Sequence, residues 1–365
     1  MQRIPFSRPV VTKEMVDAMA TAISSERMVM GESVFKFEDE FAQFIGTDHA
    51  VSVASGTAAL HLSLIAVQVC GMEVLTTPFS FIATANVVVQ ASGTPKFADI
   101  NETDYNLDPA KARKAVGERT RAIMPVHLFG QPADLDPLME TARGVGAVLV
   151  EDAAQAHGAK YKGKNVGSIG DIGCFSFYPT KNMTVGGDGG MVTTNDEKLA
   201  KNIAKLRDCG RVSRYLHDVV GFTSRLNTVN AAFGRVQLKM LAEWNERRRA
   251  IAKIYSTQLL DLNRVALPPA PSKEVVPVFH VYVISCGERE ALLKHLNEKG
   301  VEALVHYPVP IHRQPIYQQM YGAEEGSFPI AERMANRVVS LPIFPSMKDE
   351  EVMYVCEAIR SYYER

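Results

Sequence analysis

Short apolar runs alternate with longer helical patterns through the first half of the chain. Most of the runs are bounded by Gly, Pro, Asn or Asp, as strands usually are. The expected strands are Ala50–Val53, Glu73–Thr76, Lys96–Asp99, Ala122–Val126, Ala147–Glu151, Ile172–Phe177 and Met191–Thr194. Because strands joined by helices pair in parallel, this alternation predicts an α/β protein with a mostly parallel sheet between layers of helices.

Helical spacing dominates the second half. The expected helices of the whole chain are Thr12–Ser25, Val34–Ile45, Ala58–Val67, Glu197–Arg207, Ala231–Leu260, Glu288–Lys299 and Asp349–Tyr363. Pro268–Pro271 breaks the pattern, and a strand-like stretch, Phe279–Ser285, follows. We therefore expect a large domain over residues 1–244, then a connecting helix and a smaller C-terminal α/β domain over residues 245–365. The N-terminal segment is expected to pack near the small domain.

Composition narrows the class of protein. The 365 residues are 46% apolar and 22% charged, which is typical of globular proteins. With 40 basic and 41 acidic residues and no basic stripe, nucleic acid is a poor candidate partner. No apolar run approaches the roughly 18 residues of a membrane span, and the N-terminus lacks a signal-peptide pattern. The five scattered cysteines form no metal-ligand pattern, so we expect reduced thiols and a cytoplasmic location.

A hydroxyl-rich turn, Ser55–Ala58, stands where the first expected strand meets a helix. Free backbone N–H groups, the positive end of the helix dipole and two hydroxyls together suit a phosphate group. The same turn taken alone is more often a plain serine cap of a helix.

Acidic residues end the apolar strand Val148–Asp152. Carboxylates at the carboxyl ends of parallel strands face the crevice where ligands bind, and one there can pair with a cationic ring nitrogen. A helix cap explains Asp152 about equally well. Gln155 and His157 follow in the loop, and His157 is interpreted as structural.

Lys181 follows another apolar strand and a hydroxyl-bearing turn, with the glycine-rich run Gly186–Gly190 directly after it. A P-loop has its glycines before the lysine, so nucleotide triphosphate binding is not indicated. Lys181 is either a solvated surface residue or a Schiff-base lysine, which works best with a lowered pKa. A phosphate site, a carboxylate at a strand end and a lysine are together what pyridoxal phosphate requires.

Several long stretches resemble one family, the pyridoxal-phosphate-dependent nucleotide-sugar aminotransferases of the DegT type, which have the aspartate-aminotransferase-like fold. The resemblance runs from Ile4 to Tyr317. The stretches that carry it are Ala54–His61, Pro78–Thr84, Val126–Gly130, Glu151–Ala159, Phe175–Tyr178, Lys181–Asn182, Gly187–Gly190, Gly221–Leu226 and His306–Pro308.

The resemblance implies catalytic roles for two residues. Lys181 would form the Schiff base with the cofactor, and Asp152 would bind the pyridinium nitrogen. Gln155 would bind the ring hydroxyl. No metal is implied.

Further cofactor contacts are implied at the phosphate and the ring face. Thr57, with the neighbouring amides of Gly56 and Ala58, would hold the phosphate together with Ser176. Phe81 would stack on the ring, although an aromatic residue in an apolar run is more often part of a core.

The resemblance also implies a homodimer with shared active sites. Arg225, contributed by the partner subunit, would line the acceptor-sugar pocket with His306 and Tyr307. The family usually has asparagine, reaching the phosphate across the dimer, where this chain has Thr223. The threonine hydroxyl can still donate a hydrogen bond, but its side chain is shorter.

The implied reaction transfers an amino group from L-glutamate, which leaves as 2-oxoglutarate, to a keto-sugar on a nucleotide. It would serve amino-sugar biosynthesis for surface polysaccharides or glycoconjugates. Related sugar dehydratases carry histidine at the position of Lys181, which argues against dehydration. A cyclitol aminotransferase or an aminobenzoate-forming relative would show the same cofactor residues, and both stay open. A non-catalytic regulator is expected to lack Lys181 or Asp152, and both are present.

Overall fold

The computed structural model describes residues 3–364. The α-helices within that range are α1 (Lys13–Ser25), α2 (Glu32–Ile45), α3 (Gly56–Ala66), α4 (Ala83–Gln90), α5 (Pro109–Ala115), α6 (Leu135–Gly144), α7 (Glu197–Arg207), α8 (Thr228–Leu259), α9 (Arg289–Glu298), α10 (Pro315–Tyr321), α11 (Pro329–Ala335) and α12 (Asp349–Tyr363). The strands are β1 (His49–Val53), β2 (Glu73–Thr76), β3 (Thr94–Phe97), β4 (Thr120–Ile123), β5 (Val148–Asp152), β6 (Lys160–Tyr161), β7 (Lys164–Asn165), β8 (Ile172–Ser176), β9 (Gly190–Thr194), β10 (Val265–Ala266), β11 (Val275–Val276), β12 (Tyr282–Cys286) and β13 (Val338–Leu341).

A seven-stranded sheet lies at the centre, in the order β1-β9-β8-β5-β4-β2-β3. Strand β9 is antiparallel to both of its neighbours, and all other adjacent pairs are parallel. The expected α/β class and mostly parallel sheet are therefore confirmed. Strands β1, β5 and β8 run in the same direction, because β1 and β8 are both antiparallel to β9 between them and β5 is parallel to β8. Their carboxyl ends therefore lie at one edge, where ligands bind in such sheets.

Short helices account for most of the differences from the expected elements. The expected strands of the central sheet end within three residues of the observed ones, but α4, α5 and α6 were not expected. Helix α4 contains three consecutive valines, Val87 to Val89, a composition that favours a strand. Val87 and Val88 are fully buried in the core that α4 shares with α3, so packing outweighs the local preference.

The 32-residue helix α8 continues from the large core into a second one. Its C-terminal half supplies Ile251 and Tyr255 to an apolar cluster with Tyr282 of β12 and Val339 of β13. Ile4 joins this cluster, and its backbone N–H donates to the Gly300 carbonyl at 2.9 Å. The division at residues 244 and 245 lies inside α8 and stays a prediction. Between residues 3 and 364, no helix has the length and apolarity that a membrane crossing requires.

Candidate active site

A cavity of about 500 Å³ opens at the edge of the sheet where β1, β5 and β8 end. Most of the residues expected to bind cofactor or substrate line it. Its lining comprises Ser55, Gly56, Thr57, Leu60, Ser80, Phe81, Ala83, Thr84, Val126, Asp152, Ala154, Gln155, Ser176, Tyr178, Thr180, Lys181, Asp188, His280, His306 and Tyr307.

Asp152 is the last residue of β5 and is buried. Its Oδ1 accepts a hydrogen bond from the Ala154 amide at 3.2 Å, and its Oδ2 accepts one from the Thr84 hydroxyl at 3.0 Å. Burial raises the pKa of Asp152, while these two donors and the charge of Lys181 act against that rise. A carboxylate with acceptor capacity left on the cavity side can hold a proton on a ring nitrogen.

Thr84 is a site residue that was not singled out from the sequence. It lies near the start of α4 and is buried, and its hydroxyl is 3.0 Å from that of Ser80. Since Thr84 donates to Asp152, Ser80 donates to Thr84, which gives a chain of three hydrogen-bonded groups. The only signal in the sequence was that both residues fall within the family-like stretch 78–84.

Lys181 lies in the turn after β8, where its backbone N–H donates to the Tyr178 carbonyl at 2.8 Å. Burial lowers the pKa of the Lys181 amine to about 8, and the charge of Asp152 opposes that shift. The next residue is fixed, because Asn182 Nδ2 donates to Asn245 Oδ1 and to the Val278 carbonyl, each at 2.9 Å. A buried amine of lowered pKa is suited to act as a nucleophile.

One end of the cavity is formed by the N-terminus of α3. The Ser55 hydroxyl accepts from the Ala58 amide at 3.1 Å, so this amide takes part in the helix cap, and its contact with a phosphate stays a prediction. The amides of Gly56 and Thr57 have no intrahelical acceptor, as is usual in a first turn. A Cβ on Gly56 would lie 2.5 Å from Ser176 Cβ, so glycine is what lets the serine approach the helix terminus. This arrangement suits a phosphate group.

Gln155 and Phe81 face the cavity from different elements. Gln155 Oε1 accepts from the Phe129 amide at 2.7 Å, and its Nε2 donates to the Tyr307 hydroxyl at 3.1 Å. Phe81 is 55% exposed, with its ring centroid 6.2 Å from that of Tyr307. An aromatic side chain exposed to this extent on a cavity wall is not part of the core.

His306 and His280 complete the wall that faces Lys181. The Nδ1 atom of His306 bonds to the Ser340 hydroxyl at 2.9 Å, and its ring stacks on Phe6 with centroids 5.5 Å apart. Burial lowers the pKa of His306 to about 4, and it lowers that of His280 well below the ordinary value. Both shifts favour the neutral form of the imidazole. His280 had no signal in the sequence, since it is a single histidine in an apolar stretch.

Thr223 and Arg225 do not line the cavity of their own chain. The Thr223 hydroxyl is exposed and 3.3 Å from Cys209 Sγ, and the Arg225 guanidinium pairs with Asp208. Within residues 3–364 the cavity is lined by a single lysine, Lys181, and by no arginine.

Several solved structures similar to this chain are named as aminotransferases. DesV from Streptomyces venezuelae, solved in complex with a ketimine intermediate, has a TM-score of 0.97 and 39% sequence identity, with full coverage of both chains. The pyridoxal-phosphate form of a putative sugar aminotransferase, Spr1654 from Streptococcus pneumoniae, has a TM-score of 0.94 and 26% identity, covering 100% of this chain and 99% of that one. The molecule is an aminotransferase with the aspartate-aminotransferase-like fold.

The sequence gives the particular family. Residues 9–360 match the DegT/DnrJ/EryC1/StrS aminotransferase family. The dTDP-3-amino-3,4,6-trideoxy-α-D-glucose transaminase of Streptomyces venezuelae is 41% identical, covering 95% of this chain and 92% of its own. A pleiotropic regulatory protein of Geobacillus stearothermophilus is 40% identical, covering 96% and 94%. The chain belongs to this family, as the resemblance predicted.

Proposed function

We propose that this aminotransferase uses pyridoxal 5'-phosphate to move the amino group of L-glutamate to a keto-sugar carried on a nucleotide. The reaction would take place in the cytoplasm, in the biosynthesis of amino sugars for surface polysaccharides or glycoconjugates. One observation carries the proposal: a buried carboxylate, a lysine of lowered pKa and the N-terminus of helix α3 converge on one cavity.

The cavity residues fit the cofactor group by group. The close approach of Ser176 to Gly56 forms a pocket of the kind that phosphate occupies. Asp152 would hold the proton on the ring nitrogen, and Gln155 would bind the ring hydroxyl. Phe81 would cover a ring face. Bound there, pyridoxal phosphate supplies an aldehyde that takes up the amino group and a protonated ring that accepts an electron pair.

Lys181 would have two successive roles, first in holding the cofactor and then in proton transfer. Its amine would hold the cofactor in the resting enzyme until the amine of the donor takes its place. Once free, the Lys181 amine would accept the proton from the donor's Cα and would give a proton back during the second half-reaction. A pKa of about 8 suits both steps, because the amine both accepts and gives up a proton near neutral pH.

A nucleotide-linked keto-sugar is favoured as acceptor by the relatives and by the wall opposite Lys181. The named transaminase among the relatives acts on a dTDP-sugar. On that wall His306 is a neutral imidazole and Tyr307 has a hydroxyl, which suit the hydroxyl and carbonyl groups of a sugar. Neither adds a charge that would favour a small ionic acceptor.

A homodimer with shared sites would supply the charge that the cavity lacks. L-Glutamate has two carboxylates, yet Lys181 is the single basic lysine or arginine lining the described cavity. We propose that Arg225 enters the partner's site, with Thr223 near the phosphate. The segment leading to it exposes apolar side chains, among them Tyr215 at 82% and Val220 at 89%, which suits a covered surface.

The decisive test is a screen of keto-sugar nucleotides with L-glutamate, following release of 2-oxoglutarate. We expect turnover with at least one dTDP-, UDP- or GDP-linked keto-sugar. Lys181→Ala should abolish it, while Lys201→Ala on the exposed face of α7 should not. Turnover with keto-cyclitols alone would make the protein a cyclitol aminotransferase, and failure to bind the cofactor at all would contradict the proposal.

Mixing two inactive variants tests the shared site. If Lys181 and Arg225 of different subunits meet in one site, a mixed dimer of Lys181→Ala and Arg225→Ala has one intact site. Random reassortment of equal amounts makes about half of the dimers mixed, so about a quarter of all sites regain activity. No recovery, with subunit exchange confirmed by mass, would mean that Arg225 does not act across the dimer.

A further inference from the structure

Both ends of the Gln155 amide are held by the protein. Because Oε1 accepts from the Phe129 backbone N–H at 2.7 Å, the oxygen and nitrogen ends are assigned by their partners. Phe129 is itself held, since its carbonyl accepts from the His280 N–H at 2.9 Å. One hydrogen of Nε2 goes to the Tyr307 hydroxyl at 3.1 Å. The second has no acceptor among residues 3–364, and Gln155 lines the cavity.

The Tyr307 hydroxyl receives the hydrogen bond in this contact. An amide nitrogen can only donate, so the tyrosine oxygen is the acceptor and keeps its own proton available. No other group in the described chain bonds to that oxygen, and Tyr307 lines the cavity beside His306. Burial raises the pKa of Tyr307, so the hydroxyl is protonated throughout the neutral range.

We propose that Tyr307 is a positioning residue that acts on the cofactor through Gln155. Its oxygen holds the amide so that the second N–H of Gln155 meets the ring hydroxyl oxygen, and its own proton stays free for the acceptor sugar. The inference rests on the proposed function and extends it, because Tyr307 was expected only in the acceptor pocket. One side chain then contacts both the sugar and the group that contacts the ring.

This arrangement has a spectroscopic consequence. A hydrogen bond to the ring oxygen withdraws electron density and lowers the basicity of the nitrogen that joins Lys181 to the cofactor. Losing a neutral hydrogen bond of this kind should raise the pKa of that nitrogen by up to about one unit. The linkage between Lys181 and the cofactor would give an absorption band that is lost without Lys181. The pH dependence of this band reports the pKa without any substrate present.

The experiment titrates that band with pH in the cofactor-loaded protein and in four variants. Gln155→Ala should raise the midpoint by up to about one unit, and Tyr307→Phe by a fraction of that shift. In the double variant Tyr307→Phe should add nothing, because its effect passes through Gln155. Tyr317→Phe is the matched control: its hydroxyl donates to the Asn86 side chain at 2.9 Å, but it does not line the cavity.

The outcomes separate the two proposals. An unchanged midpoint in Tyr307→Phe would overturn the inference, and so would a full additional shift in the Gln155→Ala background. Tyr307→Phe removes one oxygen atom and keeps the ring, so folding should be retained, and a melting curve checks this. Absence of any Lys181-dependent band in the unaltered protein would instead contradict the proposed function.

Discussion

Glu151 and Asp152 are neighbours at the end of β5, but their carboxylates lie on opposite faces of the sheet and have different hydrogen-bond surroundings. Successive strand residues point to opposite faces of a sheet, so one carboxylate lies away from the cavity and the other lines it. Both are buried, at 0% and 3% exposure, so the difference between them does not come from burial.

The Glu151 side is saturated with donors. Its carboxylate accepts from the amides of Gly167, Ile169 and Gly170 at 2.7, 2.8 and 2.6 Å, and from His127 Nε2 at 3.0 Å. His127 Nδ1 accepts from a backbone amide, so Nε2 is the protonated nitrogen. Burial alone would raise the pKa of Glu151, but His127 and the amides lower it overall. This anion anchors a loop and has no capacity left for a ligand.

Among residues 3–364, two donors reach Asp152, and burial dominates its pKa. The comparison shows what separates a structural carboxylate from a functional one at this strand end. The difference is the number of hydrogen-bond donors that the fold supplies to each carboxylate, since a ligand can use only the acceptor positions that remain unfilled.

The largest expected effect is the loss of activity on substitution of Asp152, which lines the cavity. Asp152→Asn should keep the cofactor but lose roughly three orders of magnitude in kcat, because a neutral amide cannot stabilise a charged ring nitrogen. Steady-state kinetics with saturating cofactor measure the loss. Stability should not suffer: a raised pKa means that ionised Asp152 destabilises the folded cofactor-free protein above its ordinary pKa near 3.8. Near-normal kcat would remove Asp152 from the mechanism.

The matching substitution at Glu151 should affect stability. Glu151→Gln should lower the free energy of unfolding by about 3 kcal/mol, because it breaks a buried charged network. The lowered pKa of Glu151 means that its contribution is present above its ordinary value of 4.5 and is lost as pH falls. Urea unfolding at pH 7 and pH 4 should therefore show a smaller difference from the unaltered protein at pH 4. Equal stability at pH 7 would contradict the structural role.

Thr84→Val should have an intermediate effect, because it removes one of the two donors to Asp152. A hydrogen bond to a charged group contributes about 1.5–3 kcal/mol, so a loss of about tenfold or more in kcat is expected. The acid limb of the pH profile should move to higher pH, since Asp152 becomes harder to ionise. Thr84→Ser keeps the hydroxyl and should stay near normal. Equal losses in both variants would point to packing instead.

The smallest expected effect concerns the charge coupling across the cavity. Covalent capture of pyridoxal phosphate by cofactor-free protein requires an unprotonated Lys181, so its rate should rise with pH around a midpoint near 8. The charge of Asp152 raises the pKa of Lys181, so Asp152→Asn should lower that midpoint. Stopped-flow absorbance measures both, and a midpoint that rises in Asp152→Asn would contradict the coupling.

The sequence alone indicated the fold class and half of the residues that line the cavity, several of them only through the family resemblance. Asp152 ends a short apolar strand, and Lys181 and the turn at Ser55 follow two others; strands that run in the same direction bring such ends to one edge. These are local patterns, and local patterns can be recognised without knowing what packs against them. The same reasoning missed α4, because its valines favour a strand until the core on which they pack is known.

Only the tertiary structure decided which side chains surround those residues. Thr84 reaches Asp152 across 68 positions and Tyr307 reaches Gln155 across 152, and no periodicity in the chain relates them. Their contacts depend on where separate elements come to lie against one another. The different roles of Glu151 and Asp152 have the same origin: two adjacent acids look alike in the sequence, but the donors that distinguish them arrive from distant loops and helices.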